Sequence, residues 1–203
     1  MLNMPLVTQT FRNNSLISST ETTYRNWRIG DPLYDPSDLK GALLFPEFIK
    51  KSKSVDVIAN PSAAMETVVQ YNKVDYSTGN PLEIQRTNGM KVSYIWEFNK
   101  NYPKVKVENA SYEEIAAFLG ETETNLRNGA ISNTQINQLR TGLQAAMVTS
   151  YTYNYLIGVK TITDPQGNRT TFDYDGHNRL KLVRDSNNNI LTENEYYYAT
   201  PTN

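Results

Sequence analysis

The fold is decided by residues 163–183, TDPQGNRTTFDYDGHNRLKLV. The tetrapeptide DPQG at 164–167 has Asp first, Pro second and Gly fourth, which is the preferred pattern of a type I turn. Phe172 and Tyr174 then share one face of a strand, because side chains alternate with a period of two. Residues 175–178 make the next reversal. The stretch therefore predicts β-hairpins that follow one another.

Polar and apolar residues alternate over much of the remaining chain. The alternation around Asn13-Asn14 predicts one hairpin, because Asn tolerates the positive φ of a tight turn. Residues 65–100 predict three strands, with turns at 79–80 and 88–89. Residues 28–64 contain four prolines, which predict short turns and an irregular loop.

The period changes to that of a helix near the middle of the chain. Ser111 with Glu114, and Ser132 with Gln135, have the capping-box pattern that begins a helix. We therefore expect two helices, joined by a polar loop around residues 128–129 and inserted into a mainly β chain. The expected organisation is a β-rich repeat region at 1–110, a helical insertion at 111–146 and β-hairpins at 147–203, forming one continuous body.

An internal echo indicates that the hairpin is a repeat. A glycine is followed five, seven and eight residues later by aromatic, aromatic and acidic residues in two places. These are Gly89, Tyr94, Trp96 and Glu97 in the first copy, and Gly167, Phe172, Tyr174 and Asp175 in the second. The acidic–aromatic pair Asp75-Tyr76 has the reverse order and is not counted as a copy.

Residues 164–185, DPQGNRTTFDYDGHNRLKLVRD, resemble the YD repeat, also called the RHS repeat, of large bacterial surface and secreted proteins. Asn178 stands where that family usually has glycine, a position that Asn can occupy because it tolerates left-handed backbone. The positions that match the repeat and are expected to have structural roles are Asp164, Gly167, Tyr174, Asp175, Asn178, Arg179 and Leu180.

The resemblance implies an antiparallel sheet built by adding hairpins, which full-length members often wrap into a shell or fibre. It also implies an extracellular or cell-surface location, and that this chain is part of a larger repeat protein. Family members commonly end in a variable toxin or effector domain. No segment of this sequence resembles such a domain.

Composition argues against several classes of partner. Twenty Lys and Arg nearly balance 21 Asp and Glu, so no strong field attracts nucleic acid or an anionic membrane. The chain has no Cys, which excludes disulfides and thiolate metal sites. No apolar stretch has the length of a membrane span, and the first residues lack the pattern of a signal peptide. We expect no metal and no cofactor.

Catalysis has few candidate residues. The single histidine, His177, lies at a predicted turn, where a solvated role is the simpler explanation. Carboxylate pairs on one strand face could serve a glycosidase, although pairing with Arg or Lys on the adjacent strand explains them better. The two candidate pairs are Asp173 with Asp175, and Glu193 with Glu195.

Aromatic rows leave carbohydrate binding open. These rows, which could stack on sugar rings or pack across strands, are Tyr151, Tyr153, Tyr155, Tyr196 and Tyr198, together with Trp96. The sequence thus favours a non-enzymatic β-scaffold that acts in shell assembly or with a partner. A carbohydrate-binding module and a carboxylate-based glycoside hydrolase are the alternatives. The expected partners are the rest of the parent protein, and a carbohydrate or a second copy of the chain is left open.

Overall fold

The computed structural model describes residues 6–26, 44–52, 65–75, 77–97 and 99–197. Twelve β-strands in these ranges form one sheet, in which each strand pairs antiparallel with its neighbour and the strand order follows the chain. This confirms the mainly β, antiparallel fold predicted from the sequence. The strands are β1 Val7–Arg12, β2 Ser15–Asn26, β3 Leu44–Ser52, β4 Met65–Val74, β5 Pro81–Arg86, β6 Lys91–Glu97, β7 Tyr102–Glu108, β8 Met147–Asn154, β9 Gly158–Thr163, β10 Arg169–Tyr174, β11 Leu180–Arg184 and β12 Ile190–Glu193.

Three helices lie between β7 and β8: α1 Tyr112–Leu119, α2 Glu123–Arg127 and α3 Asn133–Gly142. Both predicted capping boxes are present, at Ser111 and at Ser132. The sequence predicted two helices and a loop, and α2 was not foreseen. Its five residues make little more than one turn, which is too short to show a helical period.

The helices cover one face of the sheet and form the main core with it. The sheet contributes Ile95, Val105, Val107 and Val148 to this core, and the helical segment contributes Tyr112, Ile115, Ala116, Leu126, Ile131, Ile136 and Leu139. All of these side chains are buried. The apolar sides of the helices therefore pack on the middle of the sheet.

A buried carboxylate attaches the first helix to the sheet. Glu83 on β5 accepts a hydrogen bond from the backbone N–H of Tyr112, the first residue of α1, at 2.8 Å. Its second oxygen accepts a hydrogen bond from Nδ2 of Asn72 at 2.8 Å. Negative charge is favoured at this end of a helix, because the first N–H groups point toward it and lack intrahelical partners.

Arg140 in α3 attaches the last helix to the following strands. Its Nε donates to the backbone oxygen of Asp164 at 3.1 Å, and its Nη2 donates to Oγ of Ser150 at 3.1 Å. The helical segment is thus held at both of its ends by side-chain hydrogen bonds to the sheet.

The irregular loop predicted at 28–64 is wrong in part, because residues 44–52 form strand β3. The rest of that prediction falls on residues 28–43 and 53–64, outside the described part of the chain. Pro46 does not interrupt β3, because it stands opposite Tyr24 next to a β-bulge and beyond the residues that pair with β4. Proline is tolerated at such positions, since no ladder hydrogen bond needs its N–H.

The two outermost strands of the sheet are exposed. Every residue of β1 and of β12 is exposed to solvent. The apolar side chains on them include Val7 and Phe11 on β1, and Ile190 and Leu191 on β12. Each of these strands has a described neighbour on one side only.

Candidate functional site

Three aspartates form the same turn, one after another. In each turn, one carboxylate oxygen accepts hydrogen bonds from the backbone N–H groups two and four residues further on, at 2.8–3.0 Å. The N–H of the third residue after the aspartate donates to the aspartate's backbone oxygen at 3.0–3.1 Å. The aspartates are Asp164, Asp175 and Asp185. The sequence predicted roles for the first two and missed the third.

The residue three places after each aspartate has left-handed backbone. Gly167 has a φ of 89°, Asn178 of 62° and Asn188 of 67°. This is the three-residue hairpin connection in which a type I turn is followed by a left-handed residue. Asn178 therefore has the conformation that the sequence predicted for it.

Asp175 also binds a charged side chain. Its Oδ2 accepts from Nε of Arg179 at 2.8 Å and from Nη2 of the same residue at 2.6 Å. These hydrogen bonds lower the pKa of Asp175 to about 2. In the other two turns an asparagine takes the place of the arginine and lowers the aspartate pKa, Asn168 for Asp164 and Asn189 for Asp185.

The conformation of Asn178 makes a specific prediction. Asn178→Gly is expected to be neutral or stabilising, because glycine adopts positive φ without a side-chain clash. Asn178→Val is expected to cost about 1–3 kcal/mol of stability, because a β-branched residue is strained there. Thermal unfolding of both variants beside the parent measures the difference. Equal midpoints for the two variants would contradict the left-handed turn.

Tyr174 packs back onto the strand that precedes its own. Its hydroxyl donates to the backbone oxygen of Val159 at 2.8 Å. A Cβ at Gly158 would collide with the Tyr174 ring, so glycine there makes room for the tyrosine. Tyr196 repeats the arrangement one hairpin later, because its hydroxyl donates to the backbone oxygen of Leu180 at 2.9 Å.

The predicted repeat positions lie at two opposite ends of the strands. Strands β9 and β10 are joined by the turn of Asp164 and Gly167 at one end, while β10 and β11 are joined by a turn at the other end. At the end where β10 joins β11, the structure brings together Tyr174, Asp175, Asn178, Arg179 and Leu180. These residues form a turn and its flanking strand ends.

A shallow pocket of about 440 Å³ lies beside the turn between β10 and β11. The guanidinium of Arg179 stacks on the ring of Tyr196, 4.1 Å from its centroid. Lys181, Asn194 and Tyr197 also line the pocket. The polar groups of Arg179 and Tyr196 are thus engaged with neighbouring protein groups.

Of the four candidate catalytic carboxylates, Asp173 and Asp175 pair with arginines, while Glu195 accepts a hydrogen bond from the Tyr197 hydroxyl. Asp173 lies 2.9 Å from Nη1 of Arg184 on the adjacent strand, and Asp175 binds Arg179 within its own turn. His177 lies exposed in that turn, where its backbone N–H donates to Asp175 at 2.8 Å. In the described part of the chain no group of three or more His, Asp or Glu side chains is placed to hold a metal ion.

Two tyrosines of the aromatic rows pack on a ring of the preceding strand, while Trp96 contacts Tyr94 of its own strand. The Tyr102 ring contacts those of Tyr153 and Tyr155, with centroids 4.7 and 5.9 Å apart. Burial raises the pKa of Tyr153 to about 12. Tyr198 lies outside the described residues. Sequence reasoning missed the hydrogen bonds that the Tyr153 and Tyr196 hydroxyls donate, because the acceptors are backbone oxygens of other strands, at Pro103 and Leu180.

None of the described helices is long and apolar enough to cross a membrane.

A search of curated proteins finds no match. Among solved structures, the crystal structure of TcdB2-TccC3 without hypervariable C-terminal region is 11% identical, with a TM-score of 0.41, and the match covers 83% of this chain and 7% of that one. A second structure, of TcdB2-TccC3, is 11% identical with a TM-score of 0.20, and the match covers 84% of this chain and 11% of that one. This chain thus spans less than an eighth of the length of either.

The family comparison identifies the hairpins themselves. The model of the RHS Repeat family matches residues 158–190, which run from the start of β9 to the start of β12. The match contains all three aspartate turns and Tyr174. Residues 158–190 of this chain are therefore similar to the RHS Repeat family.

Proposed function

We propose that the chain is a non-enzymatic scaffold segment of a larger repeat protein, located outside the cell, that joins neighbouring strands of its parent or a partner through the edges of its sheet. In this proposal residues 1–110 and 147–203 form parts of one body and residues 111–146 are an insertion in it. The observation that carries the proposal is the exposure of both outer strands, β1 and β12.

Edge strands present unpaired N–H and C=O groups to any strand that can align with them. Each unit of a repeat protein packs against its neighbours, and the outermost units need a polar outer face to stay soluble, so an outer strand with exposed apolar side chains is prone to associate. Ile190 and Leu191 of β12 are 56% and 59% exposed, which gives an added strand apolar contacts as well as hydrogen bonds. β12 is therefore the edge to test.

The test compares self-association of the unsubstituted chain with that of two lysine variants. The unsubstituted chain is expected to associate as its concentration rises. Leu191→Lys is expected to weaken the association, because a charge on an edge strand opposes pairing. The matched control is Leu156→Lys, since Leu156 is 91% exposed in the turn between β8 and β9. Sedimentation velocity over a concentration series measures all three.

Two results would contradict edge pairing: an unsubstituted chain that stays monomeric at high concentration, or equal weakening of association by both lysine variants.

A glycan array addresses the alternative of carbohydrate binding. Saturable binding of a glycan that is lost in Tyr196→Ala would replace the scaffold proposal with a carbohydrate-binding function.

A further inference from the structure

We infer that the repeat continues outside residues 158–190: one unit recurs from Val74 to Tyr196, and the helical segment takes the place of one of its turns. This goes beyond the scaffold proposal and does not depend on edge pairing. It assigns the same role to four aromatic side chains, of which only Tyr174 lies in the matched residues.

Each unit is a hairpin in which an aromatic side chain donates a hydrogen bond to the start of the first strand. The donor lies in the last two residues of the second strand in three units and three residues beyond it in the fourth. The acceptor is always the backbone oxygen of the first or second residue of the first strand. The four contacts are Trp96 Nε1 to Pro81 at 2.9 Å, Tyr153 hydroxyl to Pro103 at 2.8 Å, Tyr174 hydroxyl to Val159 at 2.8 Å and Tyr196 hydroxyl to Leu180 at 2.9 Å. We call these the aromatic–carbonyl contacts.

Successive units are joined in the same way. The residue that ends one unit stands directly opposite the acceptor residue of the next unit, and a β-bulge immediately precedes it. The pairs are Val74 with Pro81, Trp96 with Pro103, Tyr153 with Val159, and Tyr174 with Leu180. Each acceptor thus has one neighbour from the preceding unit and a hydrogen bond from its own unit, so the series continues without a break across four units.

An acidic residue follows three of the five residues in this series, whereas Asn154 follows Tyr153 and Tyr197 follows Tyr196. Asp75 follows Val74 and Glu97 follows Trp96, as Asp175 follows Tyr174. Asp75 is 1% exposed, and burial raises its pKa, but hydrogen bonds from Lys100 and Ser77 outweigh burial and leave the pKa below its usual value. The relevant pair is therefore Val74-Asp75, in place of the reversed Asp75-Tyr76 considered from the sequence.

The spacing locates the helical insertion. Donor and acceptor are 15, 15 and 16 residues apart in three units, and 50 residues apart in the unit of Tyr153. The excess of 35 residues equals the length of segment 110–144. The flanking residues Asn109 and Ala145 both have left-handed backbone, and Nδ2 of Asn109 donates to the Ala145 oxygen at 3.1 Å. The helices thus leave and re-enter the sheet at one point, where the other units have a turn.

The sheet face beneath the helices explains why these units differ in sequence from the matched repeat. Residues that stand opposite one another across paired strands share a face. Under the helices this face carries Val107 opposite Val148, whereas beyond them it carries Thr161 opposite Thr171. Covering a unit with helices requires apolar residues at positions that are polar in an uncovered unit.

Removing single hydroxyl groups tests the inference. Tyr153→Phe and Tyr174→Phe are each expected to lower the folding equilibrium constant about three- to tenfold, because each leaves a part-buried carbonyl without its donor. The control is Tyr151→Phe, since the Tyr151 hydroxyl makes no hydrogen bond to the described part of the chain. It is expected to change the constant less than about twofold. Urea unfolding of the full chain measures all three.

The inference requires that Tyr153 and Tyr174 behave alike although their acceptors lie 50 and 15 residues away. Any result in which only one of the two substitutions weakens folding, or neither does, overturns it. A loss as large in Tyr151→Phe as in the other two would also overturn it, because the effect would then come from the ring environment and not from the hydrogen bond. Since no variant touches an edge strand, failure here is separable from failure of the edge-pairing test.

Discussion

Replacing Leu139 by alanine is expected to lower the free energy of unfolding by about 2–5 kcal/mol, the range for a large-to-small change in a well-packed core. Leu139 lies in α3, is 0% exposed and belongs to the core between the helices and the sheet. A single sheet has little core of its own, so this cluster is the main source of apolar burial for the middle strands. Urea unfolding followed by far-UV circular dichroism measures the loss.

The control for Leu139→Ala is Leu156→Ala. Leu156 is 91% exposed, so its replacement is expected to change stability by less than about 0.5 kcal/mol. If Leu139→Ala costs no more than this control, the helices do not pack on the sheet as described.

Glu83→Ala is expected to cost about 2–4 kcal/mol, because it leaves the N–H of Tyr112 without an acceptor and leaves the side-chain amide of Asn72 with only a long contact of 3.5 Å to Gln85. Glu83→Ala also removes the ion pair with Lys91, whose Nζ lies 3.8 Å from Glu83. This adds little to the cost, because the Lys91 side chain is 43% exposed and solvent screens its charge. Glu83→Gln keeps an acceptor oxygen and is expected to fall between the parent and Glu83→Ala. Denaturant unfolding of the three proteins gives the order.

Glu113→Ala is the matched control for Glu83→Ala, since Glu113 is an exposed acidic residue in the first turn of α1. It removes a negative charge from the same helix end without removing a hydrogen bond to the sheet. Equal losses for Glu83→Ala and Glu113→Ala would show that the helix end responds to charge alone and that Glu83 does not attach it to β5.

Local signals made most of the fold predictable. The capping boxes at Ser111 and Ser132 and the left-handed turn at Asn178 involve residues within four positions of each other, so a single stretch of sequence contains all the groups that form them. Strand β3 was missed because Pro46 is compatible with a strand only beside a bulge, and the bulge depends on pairing with β2.

The aromatic–carbonyl contacts could not be predicted for a different reason. Their acceptors are backbone oxygens, which every residue has, so the residue type does not indicate which one accepts. In one unit the donor and the acceptor are also 50 residues apart. Val74 also makes the start of the series hard to recognise, because it stands opposite Pro81 at the position where the later pairs have an aromatic residue. The glycine echo did identify Trp96 and Tyr174 as equivalent, and their contacts with Pro81 and Val159 agree with that equivalence.

If one unit runs through the sheet and across the helical insertion, Tyr153 donates to the carbonyl oxygen of Pro103, and the carbonyl carbon of Pro103 reports this bond. A three-dimensional HNCO spectrum reports this carbon through the amide of Lys104, as it reports Val159 through Lys160. Loss of a hydrogen bond to a carbonyl moves its carbon resonance upfield. We predict an upfield shift of Pro103 in Tyr153→Phe that matches the shift of Val159 in Tyr174→Phe. A Pro103 resonance that stays in place in Tyr153→Phe, while Val159 moves in Tyr174→Phe, would contradict a repeat that runs across the helical insertion.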